Sequence, residues 1–241
     1  MAQNPASKQL LVYLVVHRNG ASLDDIMEAI WGDATARRAA ERLSTCVANL
    51  RHVLRTATNP PPSATNANGE GSTRTRAEPV VNTGGHYHLN PQLVDVDWWQ
   101  VLDEYTQVAT ATDDATRLTH LNAAITHVGG GLAEGADYDW IDTDREHTRR
   151  RLVKIYAQAA QLLTDTNPRQ AHTHSETACG LDPLSEELAR RAMHTAARLG
   201  DADAIRTRLA TLRRELDEAG IDLDPDTTHL ATTLLRDLAT P

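Results

Sequence analysis

Residues 36–55 repeat aliphatic side chains with the period of a helix that has one buried side. Leu43, Val47, Leu50 and Leu54 fall on a single stripe of a helix with 3.6 residues per turn. We therefore predict one helix over this segment, with these four side chains buried. Burial of the stripe should stabilise the fold by about 1.5–3 kcal/mol for each side chain.

The other side of the same helix is polar and rich in arginine. Arginine forks match guanine edges and phosphate groups, and an asparagine side chain can pair with adenine. The pattern is typical of a helix that reads the major groove of double-stranded DNA; the alternative is an ordinary solvated surface. We predict DNA contacts by Arg37, Arg38, Arg42, Thr45, Asn49 and His52 of this helix, and by His86 and His88 of a hairpin that follows it.

Two shorter helices are predicted ahead of this segment. The first spans about residues 7–17, and Ser22 is the N-cap of the second, which spans residues 23–31. The side chains predicted to be buried are Leu10, Leu11, Leu14 and Val15 in the first helix and Leu23, Ile26, Met27 and Ile30 in the second. Two helices, a recognition helix and a hairpin, in that order, form the core of a winged-helix DNA-binding domain.

A loop and a hairpin complete this first module. Residues 56–79 are rich in Pro, Thr, Asn and Gly and contain almost nothing to bury, so we predict a mobile loop. Residues 80–82 and 86–89 read as two strands joined around Gly84 and Gly85. Strand alternation places Tyr87 and Leu89 on one face of this wing and the two histidines on the other.

The rest of the chain has a helical pattern. Pro and Gly residues mark the breaks between the segments, which we predict at about residues 95–111, 113–128, 138–165, 168–181, 185–199, 201–219 and 226–239. Ala171 and Ala204 each open a helix after a polar turn, and their spacing is that of paired helices in a tetratricopeptide-like array. The predicted fold is mainly α, with a winged helix followed by an all-α repeat domain.

We divide the chain into residues 1–92 and residues 93–241. The first part carries nine Lys/Arg against seven Asp/Glu, and the second carries fifteen against twenty-six. An acidic chain argues against a nonspecific nucleic-acid or membrane coat, so we expect no membrane contact by this segment. A near-neutral first module with arginines on one helix is compatible with specific DNA binding.

No cofactor, metal or catalytic motif is evident. The pairs His86/His88 and His172/His174 lack a third ligand at a suitable spacing for zinc. Gly129–Gly131 lacks the Lys-Ser/Thr of a phosphate-binding loop and reads as a turn, and the acidic run from Asp137 to Asp144 is better explained by a helix start. We expect no enzyme activity.

The two cysteines and the four tryptophans have structural interpretations. Cys46 and Cys179 lie on separate predicted helices without a CxxC motif, which favours a reducing cytoplasm. Trp98 and Trp99 point about 100° apart on a helix, so we expect one in the core and one against the winged helix. Trp31 and Trp140 are expected in the core.

The chain resembles the Streptomyces antibiotic regulatory protein family, whose members join a winged helix to a bacterial transcriptional activator domain. Five segments in the same order carry the resemblance: LLVYLVVHRNGASLDDIMEAIWGD, LSTCVANLRHVL, GGHYHLNPQLVDVDWW, LAEGADYDWIDTDREHTRRRLVKIYAQAAQLL and GLDPLSEELARRAMHTAARLGDADAIRTRLATLRREL. The resemblance implies a role in transcriptional control. It also places Arg38, Arg42, Thr45 and Asn49 where the family's recognition helix meets the major groove.

One part of the family pattern is missing. Family members begin with an antiparallel sheet ahead of the first helix, and here only six residues precede Ser7. We therefore expect either a piece of a longer protein or a reduced winged helix.

Three functions follow from these patterns. The first is a DNA-binding regulator whose acidic helical domain contacts RNA polymerase or a second protomer. The second is a cytoplasmic, non-enzymatic interaction module, possible within a larger membrane-anchored protein, whose winged helix does not bind DNA. The third is a small-molecule or nucleotide sensor that uses the groove of the helical domain.

Overall fold

The computed structural model describes residues 4–58 and 77–240. Within these ranges the chain forms ten helices and three short strands. The elements in chain order are α1 (Pro5–Val16), β1 (Ala21–Ser22), α2 (Leu23–Trp31), α3 (Ala36–Thr58), β2 (Val80–Thr83), β3 (His86–Leu89), α4 (Asp97–Thr110), α5 (Asp114–Thr126), α6 (Asp142–Leu163), α7 (Pro168–Leu181), α8 (Glu186–Arg198), α9 (Ala202–Ala219) and α10 (Pro225–Ala239).

The chain divides into two compact units. The first contains Met1–Trp99 together with Ala133–Asp144, and the second contains Gln100–Leu132 together with Arg145–Pro241. The boundary between them falls inside α4, after Trp99. The first unit therefore includes a segment that lies far downstream of the wing in the sequence.

The first unit has the winged-helix order that the sequence predicts. Three helices precede the hairpin of β2 and β3, and β1, which lies between α1 and α2, completes a three-stranded antiparallel sheet with strand order β1-β3-β2. The short strand β1, which the sequence analysis does not predict, pairs Ala21 with Tyr87 and Ser22 with His86 of β3. Two residues carry too little alternation to predict a strand, and the pairing arises because β3 offers its free edge.

The wing turns at two glycines. Gly84 and Gly85 have φ angles of +61° and +87°, which side-chain-bearing residues rarely adopt. Two successive left-handed residues form the tight turn that matches the twist of an antiparallel hairpin. The Gly85 N–H donates to Asn82 Oδ1 at 3.0 Å and so secures the turn.

The core of the first unit lies between α3 and the two preceding helices. Leu43, Val47 and Leu50 are buried as predicted, whereas Leu54 is only partly buried. The helix continues to Thr58, so the predicted loop does not begin at residue 56. The remainder of that loop prediction, residues 59–76, lies outside the described residues.

The helices α1 and α2 begin within two residues of the predicted positions. Leu10, Leu14 and Ile26 are fully buried. The other side chains predicted to be buried in these helices are partly exposed, because these short helices cover only one side of the core: Leu11, Val15, Leu23, Met27 and Ile30.

The tryptophans follow the prediction in part. Trp99 is buried and its Nε1 donates to the carbonyl of Val15 at 2.8 Å, while Trp98 packs against the same core. Both therefore belong to the first unit. Trp31 and Trp140 are half-buried rather than core residues, since each lies at the edge of a surface groove.

The second unit is all-helical over its described residues. In it α8 packs against α7, α9 and α10. Many of the side chains at these crossings are alanines, including Ala178, Ala189, Ala192 and Ala196, all of them buried. Small residues allow helices to approach closely, as in stacked helix pairs, and the predicted helical repeat domain is confirmed.

Candidate nucleic-acid interface

One side of α3 is fixed by the core, and this decides which side chains face outward. Ala39, Leu43, Cys46 and Val47 are buried on the inner side. Because helix positions three and four apart share a face, a second stripe remains outside. That stripe contains Arg38, Arg42, Thr45 and Asn49, with Arg37 and His52 beside it.

Arg38 and Arg42 form the centre of this surface. Both are exposed, and neither makes an ion pair or a side-chain hydrogen bond with any residue that the structure describes. They line an open groove of about 690 Å³ beside the turn between α2 and α3. A second groove of about 510 Å³ runs along Arg38, Arg42 and Thr45. Their guanidinium groups are thus available to an anionic partner.

The walls of the larger groove are aromatic and acidic. Trp31 and Trp140 contribute to its lining, as do the carboxylates of Glu28, Asp33 and Asp139. Trp140 packs edge-on against Tyr13 with ring centroids 4.9 Å apart, which holds the downstream segment on the first unit. Sequence reasoning missed these walls because residues 139 and 140 lie almost a hundred positions from α3.

Arg37 and Thr45 are linked to the same glutamate. The Arg37 side chain is 89% exposed and pairs with Glu41 at 3.4 Å, a solvated pair between neighbouring helical turns. The Thr45 hydroxyl donates to the backbone carbonyl of Glu41 at 3.0 Å. Its oxygen can still accept a hydrogen bond.

Asn49 and His52 continue the outward stripe toward the end of α3. His52 is exposed, as predicted for a DNA-contacting side chain. Asn49, on the polar side of the predicted helix, is half-buried rather than exposed. It lies between the buried Val47 and Leu50, and this position shields part of its side chain.

The last two arginines of α3 are engaged within the unit. Arg51 Nε donates to the carbonyl of Val80 at 2.9 Å and lies 3.4 Å from the Glu78 carboxylate. Arg55 also contacts both carboxylate oxygens of Glu78. These bonds hold Glu78 and the first residue of β2 against α3. No spacing rule in the sequence connects residues 51 and 78, so this arrangement was not predicted.

The wing histidines line neither of the grooves that contain Arg38 and Arg42. His86 is exposed and lines a groove of about 430 Å³ with Tyr13, His17 and Asp25. His88 is half-buried, although Leu89 on the opposite face is buried as predicted. The structure therefore brings Arg38, Arg42 and Thr45 together in one groove. His86 of the wing lines a different groove.

The charge of the first unit differs from that of residues 1–92. The segments Met1–Trp99 and Ala133–Asp144 contain nine Lys/Arg and fourteen Asp/Glu. The additional carboxylates come mainly from the downstream segment. The basic surface on α3 is thus a local patch on an acidic unit.

The other candidate groups have structural partners. His172 Nδ1 lies 3.1 Å from the Thr195 hydroxyl, and His174 is buried beside Gln170, where burial lowers its pKa. Among the described residues, no three His, Cys, Asp or Glu side chains cluster as they would around a metal ion. Asp142 and Asp144 lie in the first turn of α6, in agreement with the helix-start interpretation. None of the described helices has the length and apolar character that a membrane span requires.

Comparison with known proteins supports the fold. A search of curated proteins gives no significant match. The structure is similar to that of EmbR from Mycobacterium tuberculosis in complex with a low-affinity phosphopeptide, with a TM-score of 0.69 and 19% sequence identity. The alignment covers 98% of this chain and 60% of EmbR, so the chain spans less than two thirds of that protein.

The family model of the bacterial transcriptional activator domain matches residues 94–235. This match and the structural similarity confirm the resemblance to the Streptomyces antibiotic regulatory proteins and the predicted fold class. The chain belongs to the bacterial transcriptional activator domain family.

Proposed function

We propose that the chain is a cytoplasmic transcriptional regulator whose helix α3 reads the major groove of double-stranded DNA. Arg38 and Arg42 contact guanine edges or phosphates, and Thr45 and Asn49 complete the base contacts. Arg37 and His52 lie at the margins of this surface and contact the sugar-phosphate backbone of the DNA. The wing, with His86 and His88, touches the flanking phosphates.

The observation that carries this proposal is the pair of unpartnered arginines. Arg38 and Arg42 are exposed on the third helix of a winged-helix unit and have no carboxylate partner among the described residues. In helix-turn-helix proteins the corresponding helix lies in the major groove with its N-terminal residues against base edges. Both arginines lie in the first two turns of α3.

The acidic unit shapes the type of binding that we expect. A long-range basic field would favour any DNA sequence, but here carboxylates such as Glu28, Asp33 and Asp139 flank the arginines. Phosphates placed away from the arginine stripe meet repulsion. Binding should therefore depend on direct contacts between the arginines of α3 and the DNA. Such contacts favour sequence-specific over nonspecific DNA.

The helical unit is the proposed contact with a protein partner such as RNA polymerase or a second protomer. Stacked helix pairs leave an extended surface that suits such a role. Exposed leucines at positions 184 and 199 and Ile221 offer apolar contacts on this unit. Light scattering of the chain alone, compared with a mixture with RNA polymerase, distinguishes the two partners.

A second candidate is an interaction module that does not bind DNA. The carboxylates around the Arg38 groove favour it, because they would repel phosphates that approach from that side. In this case Arg38 and Arg42 would contact an acidic segment of a partner protein.

Selection from a pool of randomised duplexes tests the two candidates without knowledge of an operator. Wild-type chain should enrich a consensus, and the double variant Arg38→Ala/Arg42→Ala should enrich none. Arg213→Ala is the matched control because Arg213 is an exposed arginine of α9, far from α3 in sequence, with no partner among the described residues. If the wild-type chain enriches no sequence even at low salt, the interaction module is favoured over the DNA-binding regulator.

A further inference from the structure

A pocket of about 260 Å³ lies within the second unit, between α6, α7 and α8. Its volume is below the roughly 300–1,000 Å³ of clefts that hold drug-sized ligands. The walls are apolar and are formed by Ala157, Ala160, Ala178 and Leu188. A compact apolar group would fit against these walls.

Ser175 lies at the buried end of this pocket. Only 4% of the residue is exposed, and its hydroxyl makes no hydrogen bond with any group in the described part of the chain. The neighbouring Thr195 is equally buried, but its hydroxyl bonds to the Ala192 carbonyl at 2.8 Å. The Ser175 hydroxyl is not among the fully buried polar atoms, so it is accessible from the pocket. A ligand in the pocket can therefore hydrogen-bond to it.

The rim of the pocket carries cationic and polar groups. Arg191 is exposed there, and its Nε is 2.8 Å from Glu187, while its two terminal amino groups have no partner among the described residues. His194 and Gln161 also face the pocket from its exposed side. A guanidinium group with free N–H donors matches a carboxylate.

We propose that this pocket binds a small carboxylic acid. The carboxylate pairs with Arg191 at the rim, a compact apolar body lies against the alanines, and a hydroxyl or carbonyl at the far end bonds to Ser175. The exposed Arg191, the alanines and the buried Ser175 all line one pocket, and this combination defines the ligand class. The site does not involve α3, so the proposal stands or fails independently of DNA binding.

The test uses the full chain and four defined probes, with amide resonances of Ser175, Thr195 and Ala160 followed by NMR. The acids are 4-hydroxyphenylacetate and 3-(4-hydroxyphenyl)propanoate. The comparison compounds are 4-hydroxyphenylacetamide, which lacks the carboxylate, and phenylacetate, which lacks the hydroxyl. We expect the two acids to shift the pocket resonances at millimolar concentration and the amide to bind about tenfold more weakly or worse.

Variants assign the contacts. Arg191→Gln should weaken the acids about tenfold, and Ser175→Ala should weaken 4-hydroxyphenylacetate but not phenylacetate. Ala157→Leu should fill the pocket and abolish binding. The matched control is Arg150→Gln, since Arg150 forms the same kind of pair, between neighbouring helical turns, with Glu146 but does not line the pocket.

Three results would each overturn the proposal. The first is that neither acid shifts the pocket resonances, and the second is that the amide binds as well as the acid. The third is that Arg150→Gln weakens binding as much as Arg191→Gln. Unfolding temperatures of all variants establish that each is folded before its affinity is compared.

Discussion

Two arginines of α3, Arg38 and Arg42, differ from the paired arginines of the helical unit. In the helical unit many guanidinium groups pair with carboxylates on the same or a neighbouring helix. Examples are the pairs Arg149–Glu146, Arg190–Glu187, Arg206–Asp203 and Arg208–Glu176. In the first unit Arg38 and Arg42 have no such partner among the described residues.

The difference separates arginines that hold the fold from arginines that are available to a ligand. A guanidinium that already pairs with a carboxylate has fewer free N–H donors to offer a phosphate group than an unpaired one. The contrast recurs within α3 itself, where Arg51 and Arg55 contact Glu78 while Arg38 and Arg42 have no partner among the described residues. Arginines of one helix thus differ in whether they pair within the unit or stay open to a ligand.

The largest effect should come from the buried side of α3. Leu43→Ala removes a fully buried side chain and should lower the free energy of unfolding by about 2–5 kcal/mol. Arg38→Ala on the exposed side should change it by no more than about 0.5 kcal/mol. Urea unfolding of both variants measures the difference, and a similar loss for Arg38→Ala would show that this arginine supports the fold.

A structural arginine of the helical unit should also contribute to stability. The Arg208 side chain is only 14% exposed and pairs with Glu176, so Arg208→Ala should cost about 1.5–3 kcal/mol of unfolding free energy. Arg206→Ala removes a neighbouring but exposed pair and should cost no more than about 1 kcal/mol. Equal losses in chemical unfolding would remove the distinction between buried and solvated pairs.

The open arginines should affect DNA binding instead. If Arg42 contacts a guanine, Arg42→Ala should weaken binding to the selected duplex by about 1–3 kcal/mol and leave binding to a scrambled duplex nearly unchanged. If it contacts a phosphate, both duplexes should weaken alike and the salt dependence should become shallower. Fluorescence anisotropy at several salt concentrations separates these cases, and no change with either duplex would exclude Arg42 from the interface.

The smallest effect concerns a solvated ion-pair network in acid. Hydrogen bonds from Arg149 and Arg150 lower the pKa of Glu146 from 4.5 to about 2. Because the folded pKa is below the unfolded one, this network stabilises the fold above about pH 4.5, and its contribution disappears as the pH falls toward 2. Glu146→Gln should therefore reduce the free energy of unfolding slightly at neutral pH and make it less dependent on pH between about 4.5 and 2. Urea unfolding at several pH values measures this dependence, and the same pH dependence as the wild-type chain would contradict the assignment.

Much of the fold follows from the periodicity of the apolar residues and from the Gly and Pro residues that mark the ends of helices and strands. The aliphatic stripe of α3 and the glycine pair of the wing predict their elements directly. In the helical unit, Asn167-Pro168 and Gly200-Asp201 precede α7 and α9, and the predicted starts are within one residue of the observed ones. These signals work because they depend on neighbours in the sequence.

The surroundings of the candidate interface could not be predicted in the same way. The clamp between Arg51, Arg55 and Glu78 joins residues that are 23 or more positions apart in the sequence. The groove wall formed by Asp139 and Trp140 depends on a downstream segment that packs on the first unit. Both are tertiary contacts, and a single sequence contains no local signal for them.

The most direct test of the account maps the DNA contact onto the chain. Amide resonances are followed while the selected duplex is added to the full protein. We expect shifts concentrated at Arg38, Arg42, Thr45 and Asn49, with little change at the paired arginines Arg149 and Arg208. Shifts confined to the helical unit, with α3 unchanged, would contradict the assignment of the open arginine face as the recognition surface.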